Sequence, residues 1–444
     1  MRLQTRTAAI HKDLAKRRKS DLGFFNLPYD ADLVRAIQRL AARYRKKFEN
    51  FVLIGIGGSA LGPAALFTSL CHPHHNLLPA AKRKNAMRLF VLDNADPEMI
   101  ARCLETLDLK KTLVNVITKS GTTPETMTAF MVIEQALIEA VGPKKYTDHL
   151  VFTTDPQKGL LRQLADRHGV ATLPIPPNVG GRFSIFTAVG LLPAACCGID
   201  IKKLLAGAAA MERLCKNPNL FKNPAYLYAA IHYLLDTRHN KPIAVMMPYC
   251  QALRDVADWH RQLWAESLGK RLDCQGREVF VGQTPVKALG ATDQHSQIQL
   301  YVEGPNDKIH TLIQVEKWRA RCPIPKKALP ELKELDLFRG RDMAELMTAE
   351  LNATEFALTK SKRPNVKIIL PGVSPETIGA LLYMLEVATA FAGGLYNINA
   401  YDQPGVEEGK KAAYALMGQP GKPQEAKRAE LAAYKAKRQR KPIP

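Results

Sequence analysis

No apolar run in this sequence reaches the roughly 20 residues that a membrane-spanning helix needs, so no bilayer span is expected. Residues 1–20 mix basic and apolar side chains and hold no signal-peptide core. The expected compartment is therefore the cytoplasm. The eight cysteines form no CxxC pair and no Cys/His zinc spacing, which argues against a disulfide framework and a zinc finger. Cys71, His72, His74 and His75 lie close together. They lack a second Cys or a nearby acid in a ligand rhythm, so a loop and no metal site is expected. No GxxxxGK[ST] occurs, which removes a P-loop nucleotide site. Acids are scarce: 42 Asp and Glu stand against 63 Lys and Arg, a formal net charge of +21. Much of the excess is local, since 12–19 and 427–441 hold only Asp13 and Glu430 as acids. The second stretch is helix-forming and reads as a solvated tail. Nucleic-acid binding is not expected of it, and a positive field would favour an anionic small substrate.

What is present suits a large core: 444 residues, 46% hydrophobic and 24% charged, enough for two or three compact units. Apolar runs at 51–56, 89–92, 113–117 and 150–152 alternate with helical patterns at 60–70, 97–107, 123–140 and 157–168. Strands without polar alternation, separated by helices, predict a parallel sheet covered on both faces. Right-handed crossovers put every strand's C-terminal end on one edge, where ligands bind. After a helical stretch at 201–235 the pattern restarts. Strands are expected at 242–247, 309–315 and 366–370, helices at 253–268 and 375–391, and a Pro- and Lys-rich loop at 322–330. The fold class is α/β, with two units of related architecture.

Three kinds of chemistry stand out. The run Thr118-Lys119-Ser120-Gly121-Thr122-Thr123-Pro124-Glu125-Thr126 follows a strand and opens a helix. Its hydroxyls, free backbone N–H groups and helix dipole are what a phosphate monoester needs. Thr118, Ser120 and Thr123 would donate, and Lys119 would add charge. Gly55-x-Gly57-x-x-Ala60 fits a dinucleotide fingerprint only formally, because no acid stands about 20 residues on. Those glycines read better as a close backbone approach to a small ligand. Gln262 and Glu266 share one helix face, with Gly269 at the helix end. On its own this pair reads as an ordinary solvated face. His295 follows a loop and could act as acid or base; Lys410 would ordinarily be a surface lysine.

Together, GIGGSALG at 55–62, TKSGTTPET at 118–126, VGGRFSIFTAVGLLP at 179–193, QLWAESLGK at 262–270, DQHSQIQ at 293–299 and DQPGVEEGK at 402–410 resemble the signatures of the glucose-6-phosphate isomerase family, in its shorter bacterial form. The resemblance implies two αβα sandwich domains of sugar-isomerase (SIS) type with mostly parallel sheets, plus a C-terminal helical tail. Residues 1–195 would carry an N-terminal arm and the first domain with the phosphate loop. Residues 196–400 would form the second, with the catalytic Glu and His. Residues 401–444 would hold the catalytic Lys and the basic tail. The implied reaction interconverts glucose 6-phosphate and fructose 6-phosphate through an enediol, with no metal and no cofactor. By the same resemblance Glu266 is the base, Arg182 stabilises the enediolate, and His295 and Lys410 open the sugar ring. Gly58, Ser59, Gln262 and Gln403 contact substrate, and Thr118, Lys119, Ser120, Thr123 and Thr126 hold its phosphate. A homodimer is implied, in which the histidine reaches in from the partner. Thr118 stands where Ser is usual, which keeps the hydroxyl; Ala60 and Pro124 also vary. Two alternatives remain open: a non-catalytic sugar-phosphate sensor, and an isomerase acting also on mannose 6-phosphate.

Overall fold

The computed structural model describes residues 2–327 and 330–437. The end of the basic tail, from 438 on, and residues 328–329 of the expected loop lie outside the described residues. Five strands form the first sheet: β1 (Asn50–Ile54), β2 (Arg88–Leu92), β3 (Thr112–Ile117), β4 (Leu150–Thr154) and β5 (Ala171–Pro174). Their order is β2-β1-β3-β4-β5, with every pair parallel. Every residue of β1, β3 and β4 is buried. The physical cause is that both faces are covered. Val52, Ile54, Val114 and Val116 pack toward the helices Pro97–Thr106, Pro124–Val141 and Leu160–His168. Phe51, Leu53 and Leu113 point the other way, toward Ala31–Lys47, Gly58–Leu70 and Ala188–Cys196. Ile54 lies opposite both Leu92 and Val116, so the C-terminal ends of these strands line one edge.

The second half adds β6 (Ile243–Pro248), β7 (Lys270–Leu272), β8 (Glu278–Val281), β9 (Thr284–Lys287), β10 (Lys308–Lys317) and β11 (Asn365–Gly372). A parallel four-stranded sheet runs β11-β10-β6-β9, and β7 with β8 makes a small antiparallel pair. The helical stretch expected at 201–235 is two helices, Ile201–Cys215 and Pro224–His239. Asn223 explains the restart: its side chain caps Tyr226 N–H, and Pro224 takes the first helical position.

One helix corrects the expectation that no apolar run is long enough for a membrane. Pro375–Tyr396, of 22 residues, passes that test of length and composition. It is nearly all buried inside the protein, so its apolarity serves the core. The N-terminal helix Arg2–Arg17 lies against it. Ile10 and Leu14 enter the core, Arg6 donates to Tyr233 Oη at 3.0 Å and to Leu395 O, and His11 Nδ1 meets Tyr226 Oη at 2.9 Å. Close by, the carboxylate of Glu212 is buried among Arg18 at 2.7 Å, Lys216 at 3.1 Å and the Tyr29 hydroxyl at 2.7 Å. The largest apolar cluster includes residues from both sheets, among them Phe51, Leu53, Met246, Ile313 and Leu370. The two halves thus share one interior.

Candidate active site

The C-terminal edge of the first sheet opens into a cleft of about 590 Å³. Its floor is the turn between β3 and the helix Pro124–Val141. Pro124 takes the first helical position, which its fixed φ favours, and Thr123 precedes it as N-cap. The turn is drawn tight by its own hydroxyls. Thr118 Oγ1 lies 3.2 Å from Thr123 Oγ1 and accepts from Gly121 N–H at 3.2 Å, while Ser120 Oγ accepts from Thr122 N–H at 3.2 Å. Thr126 lines the cleft and is buried, and its hydroxyl has no hydrogen-bond partner among the described residues. A group able to accept from it is the natural complement. Lys119 lines the cleft too, but its ammonium donates to Pro177 O at 2.7 Å and Val179 O at 3.2 Å. Burial pulls its pKa below the ordinary lysine value, with Asp155 opposing.

The glycine-rich loop after β1 closes one side. Ser59 lines the cleft. A Cβ on Gly58 would sit 2.2 Å from Gly181 O, so no other residue lets this loop meet the Gly180-Gly181-Arg182 turn so closely. That contact places Arg182. Its guanidinium is buried and makes four hydrogen bonds and one ion pair: Nε donates to Ser267 Oγ at 2.7 Å, Nη2 to Ala400 O at 2.7 Å and Asp402 O at 3.0 Å, and Nη1 to Gln403 Oε1 at 3.1 Å, while Nη1 also lies 3.2 Å from the Glu266 carboxylate. Burial lowers its pKa from the ordinary value, and Glu266 and Asp402 oppose the loss.

Glu266 lies in the last turn of the helix Arg254–Leu268, one turn after Gln262, whose Nε2 donates to it at 2.9 Å. The other amide atom, Gln262 Oε1, is buried without a hydrogen-bond partner among the described residues. Lys270 closes the helix end by donating to Glu266 O at 2.8 Å and to Asp402 O at 2.7 Å. Its pKa is lowered first by burial and then by Arg182. Gln403 therefore joins the two parts: it lines the cleft and accepts from the guanidinium that holds Glu266. Lys410, on the helix Glu407–Leu416, lines the cleft and pairs with Glu407 at 2.9 Å.

The chain thus brings together Ser59, Thr118, Lys119, Ser120, Thr123, Thr126, Gln403 and Lys410 around the cleft, with Gly58, Arg182, Gln262 and Glu266 linked to it by contact. His295 is the exception. It ends the short turn Thr292–His295, is exposed and does not line this cleft. Sequence reasoning missed Asp155, Lys158 and Gly159, which also line it. They follow β4, the neighbour of β3, and the strand-edge rule could have pointed to them. It also passed over Ser267 and Lys270, which hold Arg182 and the Glu266 helix end.

The family model for phosphoglucose isomerase matches residues 36–430. The chain belongs to the phosphoglucose isomerase family. A glucose-6-phosphate isomerase of Carboxydothermus hydrogenoformans is 52% identical over 416 residues, 94% of this chain and 89% of its own. One of Rubrobacter xylanophilus is 46% identical over 400 residues, 90% of each chain. Among solved structures, a hypothetical protein of Thermus thermophilus superposes with a TM-score of 0.85 at 38% identity, over 93% of this chain and 94% of its own. A glucose-6-phosphate isomerase of Chlamydia trachomatis gives 0.77 at 25% identity, over 91% of this chain and 76% of its own. Phosphoglucose isomerase membership accounts for the two parallel-sheet α/β units and for the order of the motifs around the cleft.

Proposed function

We propose that this chain interconverts glucose 6-phosphate and fructose 6-phosphate, with the sugar phosphate seated on the Thr118–Thr126 turn and Glu266 moving the proton between its first two carbons. One observation carries the site: the unbroken chain of contacts from Glu266 through Arg182 to Gln403, which lines the same cleft as the hydroxyl-rich turn. The turn binds the phosphate remote from the reacting carbons, and so spares the reaction much of the entropic cost of alignment. Once the ring is open, the α-C–H beside the carbonyl is a weak acid that a positioned carboxylate removes. Such a base contributes roughly 10²–10⁴-fold. The resulting oxyanion forms beside a guanidinium already held by five contacts, so little reorganisation opposes it. The unpartnered Gln262 Oε1 is suited to accept from a sugar hydroxyl. Lys410 lines the cleft, which supports a part for it in ring opening.

The substrate pair is that of the isomerases the chain is similar to. We also propose a homodimer in which each His295 serves the other subunit's cleft; its exposure and its absence from the lining of its own cleft support this. A cytoplasmic location is proposed with it, supported by eight cysteines that all carry free thiols. Glu266→Gln should keep binding of fructose 6-phosphate and lose turnover by about 10²-fold or more in a coupled assay. Turnover at the unmodified rate would remove Glu266 from the mechanism. Mixing Glu266→Gln with His295→Ala subunits should restore activity, since one site of the mixed dimer then has both groups.

A further inference from the structure

We propose that Lys158 supplies the phosphate-facing positive charge of this cleft, while Lys119 serves as a tie for the turn that carries it. The proposal rests on the isomerase reading and goes beyond it by dividing the roles of two lysines. Three lysines line the cleft: Lys119, Lys158 and Lys410. Two are occupied. Lys119 gives two of its N–H bonds to the carbonyls of Pro177 and Val179, which fastens the phosphate turn to the segment leading into Gly180 and Arg182. Lys410 is paired with the carboxylate of Glu407. The ammonium of Lys158 makes no ion pair and no hydrogen bond among the described residues.

The backbone around Lys158 is fixed by its own loop. Asp155, at the end of β4, accepts from Gln157 N–H at 2.9 Å and from Lys158 N–H at 3.0 Å, so one carboxylate oxygen is spent on the loop itself. Gly159 follows with φ +96°, and a Cβ there would lie 2.6 Å from Ser120 O. From the other side, a Cβ on Gly121 would lie 2.4 Å from Leu161 N. The two loops touch backbone to backbone because both contact points are glycines. Residues 155–161 are thus a second wall of the phosphate cradle, and Lys158 stands at its rim with all three ammonium hydrogens unspent. An exposed ammonium facing a dianion acts as a screened point charge. Its contribution belongs to binding, with little effect on the chemical step.

The test is steady-state kinetics with fructose 6-phosphate, and inhibition by inorganic phosphate, for Lys158→Met, Lys158→Arg, Lys119→Met and Thr123→Val. Lys158→Met should raise KM and the phosphate inhibition constant together, roughly tenfold at low ionic strength, with kcat nearly unchanged. The gap to the unmodified enzyme should shrink at about 0.5 M salt, a response that a purely structural role would not give. Lys158→Arg should recover most of the affinity. Lys119→Met should raise the phosphate constant less than Lys158→Met does. If Thr123→Val raises KM while Lys158→Met leaves both constants within about twofold, the role of Lys158 is refuted and the cleft assignment stands. If the unmodified chain fails to turn over fructose 6-phosphate, the isomerase reading falls and takes this inference with it.

Discussion

Glu386 sits in the middle of the core helix Pro375–Tyr396, wholly buried, with neither carboxylate oxygen hydrogen-bonded among the described residues. Burial pushes its pKa well above the ordinary value of 4.5, so the folded protein keeps it neutral. In the unfolded chain the same group loses its proton near that ordinary value. The folded state therefore binds one more proton. Its stability from this group is complete below about pH 4.5 and declines as pH rises, by about 1.4 kcal/mol per unit until the folded pKa is reached. Across pH 5 to 7 stability therefore slopes downward as pH rises. For 444 residues an unfolding entropy of about 0.9 kcal/mol/K converts the full slope of about 1.4 kcal/mol per unit to about 1.5 °C in Tm per pH unit. Glu386→Gln keeps the shape and removes the titration. The gap in urea midpoint or Tm between the variant and the parent should be smallest at pH 5 and widen steadily to pH 7. Parallel pH profiles for the two proteins, at any constant offset, would refute the reasoning.

Two further stability tests use the opposite sign. Burial pushes Glu212 up, but hydrogen bonds from Tyr29, Arg18 and Lys216 outweigh it and leave its pKa below the ordinary value, so its contribution is present at neutral pH and lost in acid. Arg18→Ala removes one partner of this buried carboxylate and should cost about 3 kcal/mol in urea unfolding at pH 7; an unchanged midpoint would show that Lys216 and Tyr29 suffice. His260 and His232 are fully buried, and desolvation lowers their pKa values to about 3 and about 4. Each stays neutral when folded and should withdraw about 1.4 kcal/mol per unit as pH falls below 6.5. His260→Gln should flatten that acid limb by one proton in urea titrations from about pH 6.5 to 4.5.

How far the sequence could be read depended on whether a residue's partners were near it in the chain. β1 and β3 were legible as apolar runs because both faces of the sheet are covered, which removes alternation. β5 was not, since Ala171–Pro174 is short, lies at the sheet edge and ends in an exposed proline. The reading ended the last long helix at 391, before Gly393 and Gly394, yet it continues to Tyr396. Tertiary packing overrode propensity there: a Cβ on Gly394 would press on Ile10, and one on Gly393 on Ala400. The helix starting at 157 in the sequence reading starts at Leu160, because residues 155–159 form the loop that joins the cleft. The turn at 118–126 and the pairing of Gln262 with Glu266 could be seen locally. The bond from Arg182 to Gln403 spans 221 positions, and no local pattern carries it; the family resemblance named both residues but not their link.

The interior common to both sheets leaves neither half with a closed surface of its own. A chain severed between His239 and Ile243 would uncover a broad apolar face on each piece, of the kind that drives aggregation. A nonsense codon in that interval would yield no partly working catalyst, only precipitate.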